Sequence, residues 1–70
     1  MNSHSVWLYS IVASKGIRLY DISIYLELSY KTFSKKMKDP DRFTIREIKK
    51  MAELLDIEWE KLLEAPTEII

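Results

Sequence analysis

The chain has 70 residues, 47% of them hydrophobic and 31% charged, with 11 Lys+Arg balanced by 11 Asp+Glu. That profile fits one compact domain: too apolar for a disordered tail, and too short for a second core. Cysteine is absent and glycine occurs once, at Gly16, which excludes a disulfide-stapled scaffold, a Cys-ligated zinc site and a glycine-rich phosphate loop.

The first element is predicted as a helix from about Ser5 to Lys15. Ser3 or Ser5 can cap it, and Gly16 stands where a left-handed C-terminal stop is wanted. Leu8, Ile11 and Val12 share one face at helical spacing, widened by Val6, Trp7 and Tyr9. His4, the single histidine, precedes this helix in a stretch expected to fray. It has no Cys, Asp or Glu beside it, so it is not read as a metal ligand or general base. The expectation is a protein that is not an enzyme and needs no metal or cofactor.

Residues 22 to 31 allow two parses. Ile22, Ile24, Leu26, Leu28 and Tyr30 alternate with Ser23, Tyr25, Glu27, Ser29 and Lys31, the period of a half-buried strand. A second alternating run to pair with it is missing, and a lone strand leaves its amides unsatisfied. In the preferred parse a helix over Leu19–Leu26 buries Ile22, Ser23 and Leu26. A turn follows at Glu27-Leu28, and Ser29 caps a second helix, Tyr30 to Lys38, that buries Phe33 and Met37.

Pro40, in Asp39-Pro40-Asp41, marks a loop. Thr44-Ile45-Arg46-Glu47 is a capping-box pattern, in which the Thr hydroxyl takes an orphan amide and the Glu three residues on returns the bond. Ile45, Ile48, Met51, Ala52 and Leu55 then fall on one stripe, with Arg46, Lys49, Lys50 and Glu53 outside it. A short helix from Trp59 to Glu64 is closed by Pro66, leaving residues 65–70 as a tail. No apolar run approaches the ~20 residues needed to span a bilayer. The first residues carry no basic stretch of the kind that opens a secretory signal, so a cytoplasmic protein without membrane contact is expected.

Zero net charge conceals an asymmetry. Residues 1–14 carry no Lys, Arg, Asp or Glu; residues 15–50 carry ten basic against five acidic residues; residues 51–70 carry Lys61 against six acids. Between Leu28 and Lys38 there are four lysines and no acid. Such a stripe suits a face that meets a polyanion, although a solvated lysine-rich helix has the same composition.

The order of these features resembles the Cro/repressor-type helix-turn-helix family of phage and bacterial regulators. The resemblance rests on Gly16-Ile17, Ile22, Ser23, Leu26 and Leu28-Ser29, on Thr32-Phe33-Ser34-Lys35, and downstream on Phe43-Thr44 and Met51-Ala52-Glu53-Leu54-Leu55-Asp56-Ile57. It covers residues 6–64 and implies an all-α, compact five-helix bundle of the lambda-repressor-like type, a single domain over 1–70 with its motif at 19–38. Departures are specific. Ser23 replaces the family's usual Ala, and Glu27 its usual Gly, for which a positive φ is implied. Val12 and Met37 stand where many members pair a buried Arg with a Glu. Leu19 stands where many place a phosphate-holding Gln.

The resemblance implies sequence-preferring binding of double-stranded DNA by a small phage-derived or bacterial transcription regulator. Carried over by position, Tyr30, Lys31, Ser34 and Lys35 are candidates for base contacts. Arg18, Ser29, Thr32, Lys36, Lys38 and Arg42 are candidates for phosphate contacts. Lysine donates to guanine O6 and N7 but sits equally well on phosphate, so modest discrimination is expected. A homodimer through the C-terminal helix or helix two is a further expectation. The competing expectation is a protein-interaction module on the same scaffold: Leu19, Tyr20, Ile24 and Tyr25 crowd a face of helix two that relatives keep polar, and together they would form an interface patch.

Overall fold

The computed structural model describes residues 3–63. Within them run α1 (Ser3–Lys15), α2 (Leu19–Tyr25), α3 (Tyr30–Lys38), a single 3-10 turn (Pro40–Arg42), α4 (Ile45–Leu55) and α5 (Trp59–Leu63). The architecture is all-helical, with no strand among the described residues. Glu64 and the tail over 65–70 lie outside them.

The alternating segment resolves into two helices because its apolar residues do not share a face. Ile22 and Leu26, one turn apart, are buried, whereas the intervening Ile24 is 58% exposed. Leu28 lies in the connection between α2 and α3, packed against the core from the side. Period two here is a coincidence of a helix, a turn and a second helix start.

Three helices stop by one device, a residue in the left-handed region followed by an apolar residue that folds back on the core. Gly16 (φ 69°) ends α1, Glu27 (φ 59°) ends α2 and Asp56 (φ 58°) ends α4. After α2, the Glu27 N–H reaches the Ile24 carbonyl at 3.0 Å and the Leu28 N–H reaches the Ser23 carbonyl at 3.0 Å. After α4, Asp56 and Ile57 bond Glu53 and Ala52 at 3.3 and 3.1 Å in the same way. This is the Schellman arrangement, which satisfies terminal carbonyls. Glycine takes the left-handed conformation freely; a glutamate pays about 1 kcal/mol for it. Ile17, Leu28 and Ile57, the three following residues, all pack against the core.

That core is drawn from every helix: Leu8 and Val12 of α1, Ile22 of α2, Phe33 and Met37 of α3, Ile48, Met51, Ala52 and Leu55 of α4, and Leu62 of α5, joined by Leu26 and Phe43 from the connections. Val12 and Met37 both belong to it.

Four local expectations need correction. Ser5 is not a cap: it lies inside α1, fully buried, and its hydroxyl donates to the Met37 carbonyl at 2.6 Å. That carbonyl is in the last turn of α3, where intrahelical donors run out, so Ser5 serves a helix end on a different element. His4 does not fray, because its Nε2 donates to the Leu62 carbonyl at 2.7 Å and ties α1 to α5. Ile45, in the first turn of α4, is 50% exposed and drops out of the core stripe. Val6 likewise faces outward.

Candidate nucleic-acid interface

α3 begins where its sequence says it should. The Ser29 hydroxyl accepts the Thr32 backbone N–H at 3.2 Å and donates to the Thr32 hydroxyl at 3.0 Å. The cap thus closes the first turn, and Thr32 keeps its own hydroxyl proton. Phe33 and Met37 point inward with no exposure. Phe33 meets Phe43 edge-on, ring centroids 6.1 Å apart. At about 100° per residue, Lys31, Ser34, Lys35 and Lys38 then fall within a third of the helix circumference on the side away from Phe33.

Lys31, Lys35 and Lys38 are exposed, and Ser34 is half-buried between them. Among the described residues none of these lysines forms an ion pair. Lys35 and Lys38 lie in the last turn of α3, where the helix dipole is negative and tolerates positive charge, and Lys31 lies in its first turn. Lys31 to Lys38 spans about 10 Å of helix axis.

The other cations expected at phosphates are placed differently. Lys36 turns to the flank of α3 that faces α4, and its Nζ lies 2.7 and 2.9 Å from the two carboxylate oxygens of Glu47. Both side chains are mostly hidden, at 18% and 14% exposure. A phosphate role for Lys36 does not fit that geometry, because reaching out would leave Glu47 buried and unpaired. Arg18, in the residue before α2, pairs with Asp21 at 3.1 Å, and Arg42, in the 3-10 turn, pairs with Asp39 at 3.0 Å. Both pairs are solvent-exposed and weak enough to exchange for another anion. Ser29 is exposed but committed to the cap. Tyr30 packs its ring between Tyr20 and Phe33, at 6.2 and 6.5 Å.

Glu47 holds the site together from behind. It completes the capping box of α4, taking the Thr44 N–H at 2.9 Å while the Thr44 hydroxyl takes its own N–H at 3.1 Å. Burial by itself would raise its pKa, but the bonds from Lys36 and Thr44 and the ammonium charge outweigh this and lower it. Elsewhere, burial and then the nearby Tyr30 raise the pKa of Tyr9. Tyr25 is raised first by its bond to Glu53, to which its hydroxyl donates at 2.7 Å.

On α4, Lys50 pairs with Glu27 at 3.3 Å and Lys49 sits 4.9 Å over the Trp59 ring. These two lysines are therefore engaged by the scaffold, and Arg46 is an exposed residue near Leu26 and Glu27. Sequence reasoning missed the second partner of Glu47 and the tilted packing of the Tyr20 ring against Tyr30. Neither has a local signal: Lys36 and Glu47 lie on separate helices, as do the two tyrosines. No group of three or more His, Cys, Asp or Glu that could hold a metal occurs among the described residues. No helix among them is long and apolar enough to cross a membrane. Compared with models of known families, curated proteins and solved structures, the chain has no match.

Proposed function

We propose that the chain is a Cro/repressor-type helix-turn-helix domain of the lambda-repressor-like kind, which binds double-stranded DNA by laying α3 in the major groove. In this reading it is a small phage-derived or bacterial transcription regulator. The observation that carries the reading is the stripe of Lys31, Ser34, Lys35 and Lys38 on the free side of a helix whose other side is locked into the core. Unpaired cations on a rigid helix are what a polyanion selects, and the major groove admits one helix.

Lys31, Ser34 and Lys35 face the base edges, with Tyr30 at the entrance. Lys38 and Thr32 meet phosphates, joined by Arg18 and Arg42 once they release Asp21 and Asp39. Lys36 is withdrawn from this set. Three lysines without Arg, Gln or Asn on the stripe give affinity more readily than sequence discrimination. A homodimer through α5 would place half-sites about 34 Å apart.

The test is fluorescence anisotropy of a labelled mixed-sequence duplex across a salt series. Binding that falls steeply with salt, with the slope reduced by about one in Lys38→Gln and the affinity lowered in Lys31→Gln and Lys35→Gln, is the expected result. A folded protein that ignores duplex DNA at low salt would overturn the reading.

A further inference from the structure

We infer that the edge of α3 is also a docking surface for an acidic amphipathic helix of a partner protein, which would occlude the same lysines as DNA. Tyr20 and Ile24 lie one turn apart on α2 and are 59% and 58% exposed. The Tyr20 ring packs at a tilt against that of Tyr30, centroids 6.2 Å apart; Tyr30 is itself 46% exposed and immediately precedes Lys31. Three large side chains from two helices therefore form one apolar patch, and the unpaired Lys31, Lys35 and Lys38 continue from it along α3.

Two features choose the occupant. The first is charge: no acidic residue stands between Leu28 and Lys38, and the three lysines have no ion pair among the described residues. A second copy docked about a two-fold axis would set these cations against their own equivalents, whereas a partner bearing carboxylates would be drawn in. The second is Ile24. A DNA backbone offers phosphate and sugar, which gain little from an aliphatic side chain, so an isoleucine left this exposed beside two tyrosines calls for apolar groups on the ligand. An amphipathic helix supplies both chemistries at once: carboxylates for the lysines, and apolar residues at i, i+3 and i+4 for the tyrosines and isoleucine.

The patch and its charge rim stand independently of whether DNA binds; only the competition arm rests on the DNA reading. The probe is a labelled helical peptide with leucines along one face and glutamates flanking them. Two controls accompany it, one with serine for every leucine and one with glutamine for every glutamate. Direct anisotropy titration should show binding of the Leu/Glu peptide alone. Tyr20→Ser and Ile24→Ser should each weaken it about tenfold, a loss of about 1.4 kcal/mol. The same variants should keep the helical circular dichroism and the duplex affinity of the parent, and unlabelled peptide should displace labelled duplex. Absence of peptide binding would overturn the inference, as would equal binding by the serine control or no effect of Tyr20→Ser and Ile24→Ser. Tight binding of single-stranded oligothymidylate that Tyr20→Ser abolishes would assign the patch to base stacking and also overturn it. Failure of duplex binding with intact peptide binding would sink the DNA reading alone.

Discussion

Glu47 is the residue whose loss should be felt most for its size. In Glu47→Ala the Lys36 ammonium stays on the α3–α4 flank without its counter-charge, and the Thr44 N–H loses its acceptor. Breaking a fully buried pair from one side costs about 3–5 kcal/mol and an exposed pair about 0–1 kcal/mol. At 18% and 14% exposure this pair is near the buried limit, but a lysine stem can swing its head toward water, so about 2 kcal/mol is expected. A domain of this length holds about 4–10 kcal/mol in all, so the change is a sizeable fraction of it. In urea unfolding followed by circular dichroism, with a slope of about 1 kcal/mol/M for so small a chain, the midpoint should fall by about 2 M. Glu47→Gln separates the parts, because glutamine still accepts from Thr44 while removing the charge, and should cost about half as much. Acid titration adds a sign. The folded pKa of Glu47 is depressed, so its stabilisation is complete above the ordinary glutamate value of about 4.3 and is lost as the pH falls through the lower folded value. The stability difference between the parent and Glu47→Gln should shrink through that window. A Glu47→Ala midpoint indistinguishable from that of Glu60→Ala, an exposed α5 glutamate, would refute the assignment.

Further outcomes follow from single contacts. Glu27→Gly should stabilise by about 1 kcal/mol in the same urea assay, since it relieves a left-handed φ and loses only a largely exposed pair with Lys50. Ser5→Ala should destabilise by about 1–2 kcal/mol, because the Met37 carbonyl stays buried without the hydroxyl that serves it. Lys36→Met should lower the urea midpoint yet leave duplex binding unchanged, whereas Lys35→Gln should leave the midpoint unchanged and weaken duplex binding.

Local chemistry carried the reading of the sequence furthest where a residue's partner lies within one turn. Ser29 and Tyr30–Lys38 were legible because a cap, an apolar pair at i and i+4, and a following proline suffice to bracket a helix. Thr44 and Glu47 were legible for the same reason. The turn at Glu27-Leu28 was readable as a break, and the positive φ at Glu27 came only from the resemblance. What local spacing cannot carry is the partner across the fold: Ser5 with Met37, His4 with Leu62, Lys36 with Glu47. Lys36 shows the cost. In sequence it is one of four equivalent lysines; which of them faces α4 is decided by the rotation that burying Phe33 and Met37 imposes on α3. Ile45 fails in a related way, since it has the right period but sits in the first turn of α4, beyond the reach of the neighbouring elements.

The same rotation explains how so small a domain can carry an unpaired cationic face. Three contacts from three elements fix α3: Ser5 of α1 holds its last turn, Glu47 of α4 holds its flank, and Phe43, from the connection before α4, packs against Phe33. Each uses a side chain that points away from Lys31, Lys35 and Lys38. The repulsion among those lysines is therefore borne by interactions on the opposite side of the helix, and it is not cancelled by a local carboxylate. Most other cations of the described chain are partnered within the fold: Arg18 by Asp21, Arg42 by Asp39, Lys50 by Glu27, and Lys49 by the Trp59 ring. Residues 15–50 carry five acids that could neutralise the lysine stripe, and the fold directs four of them to other cations. That allocation, more than the number of lysines, is why the free face of α3 is the part of this molecule to test first.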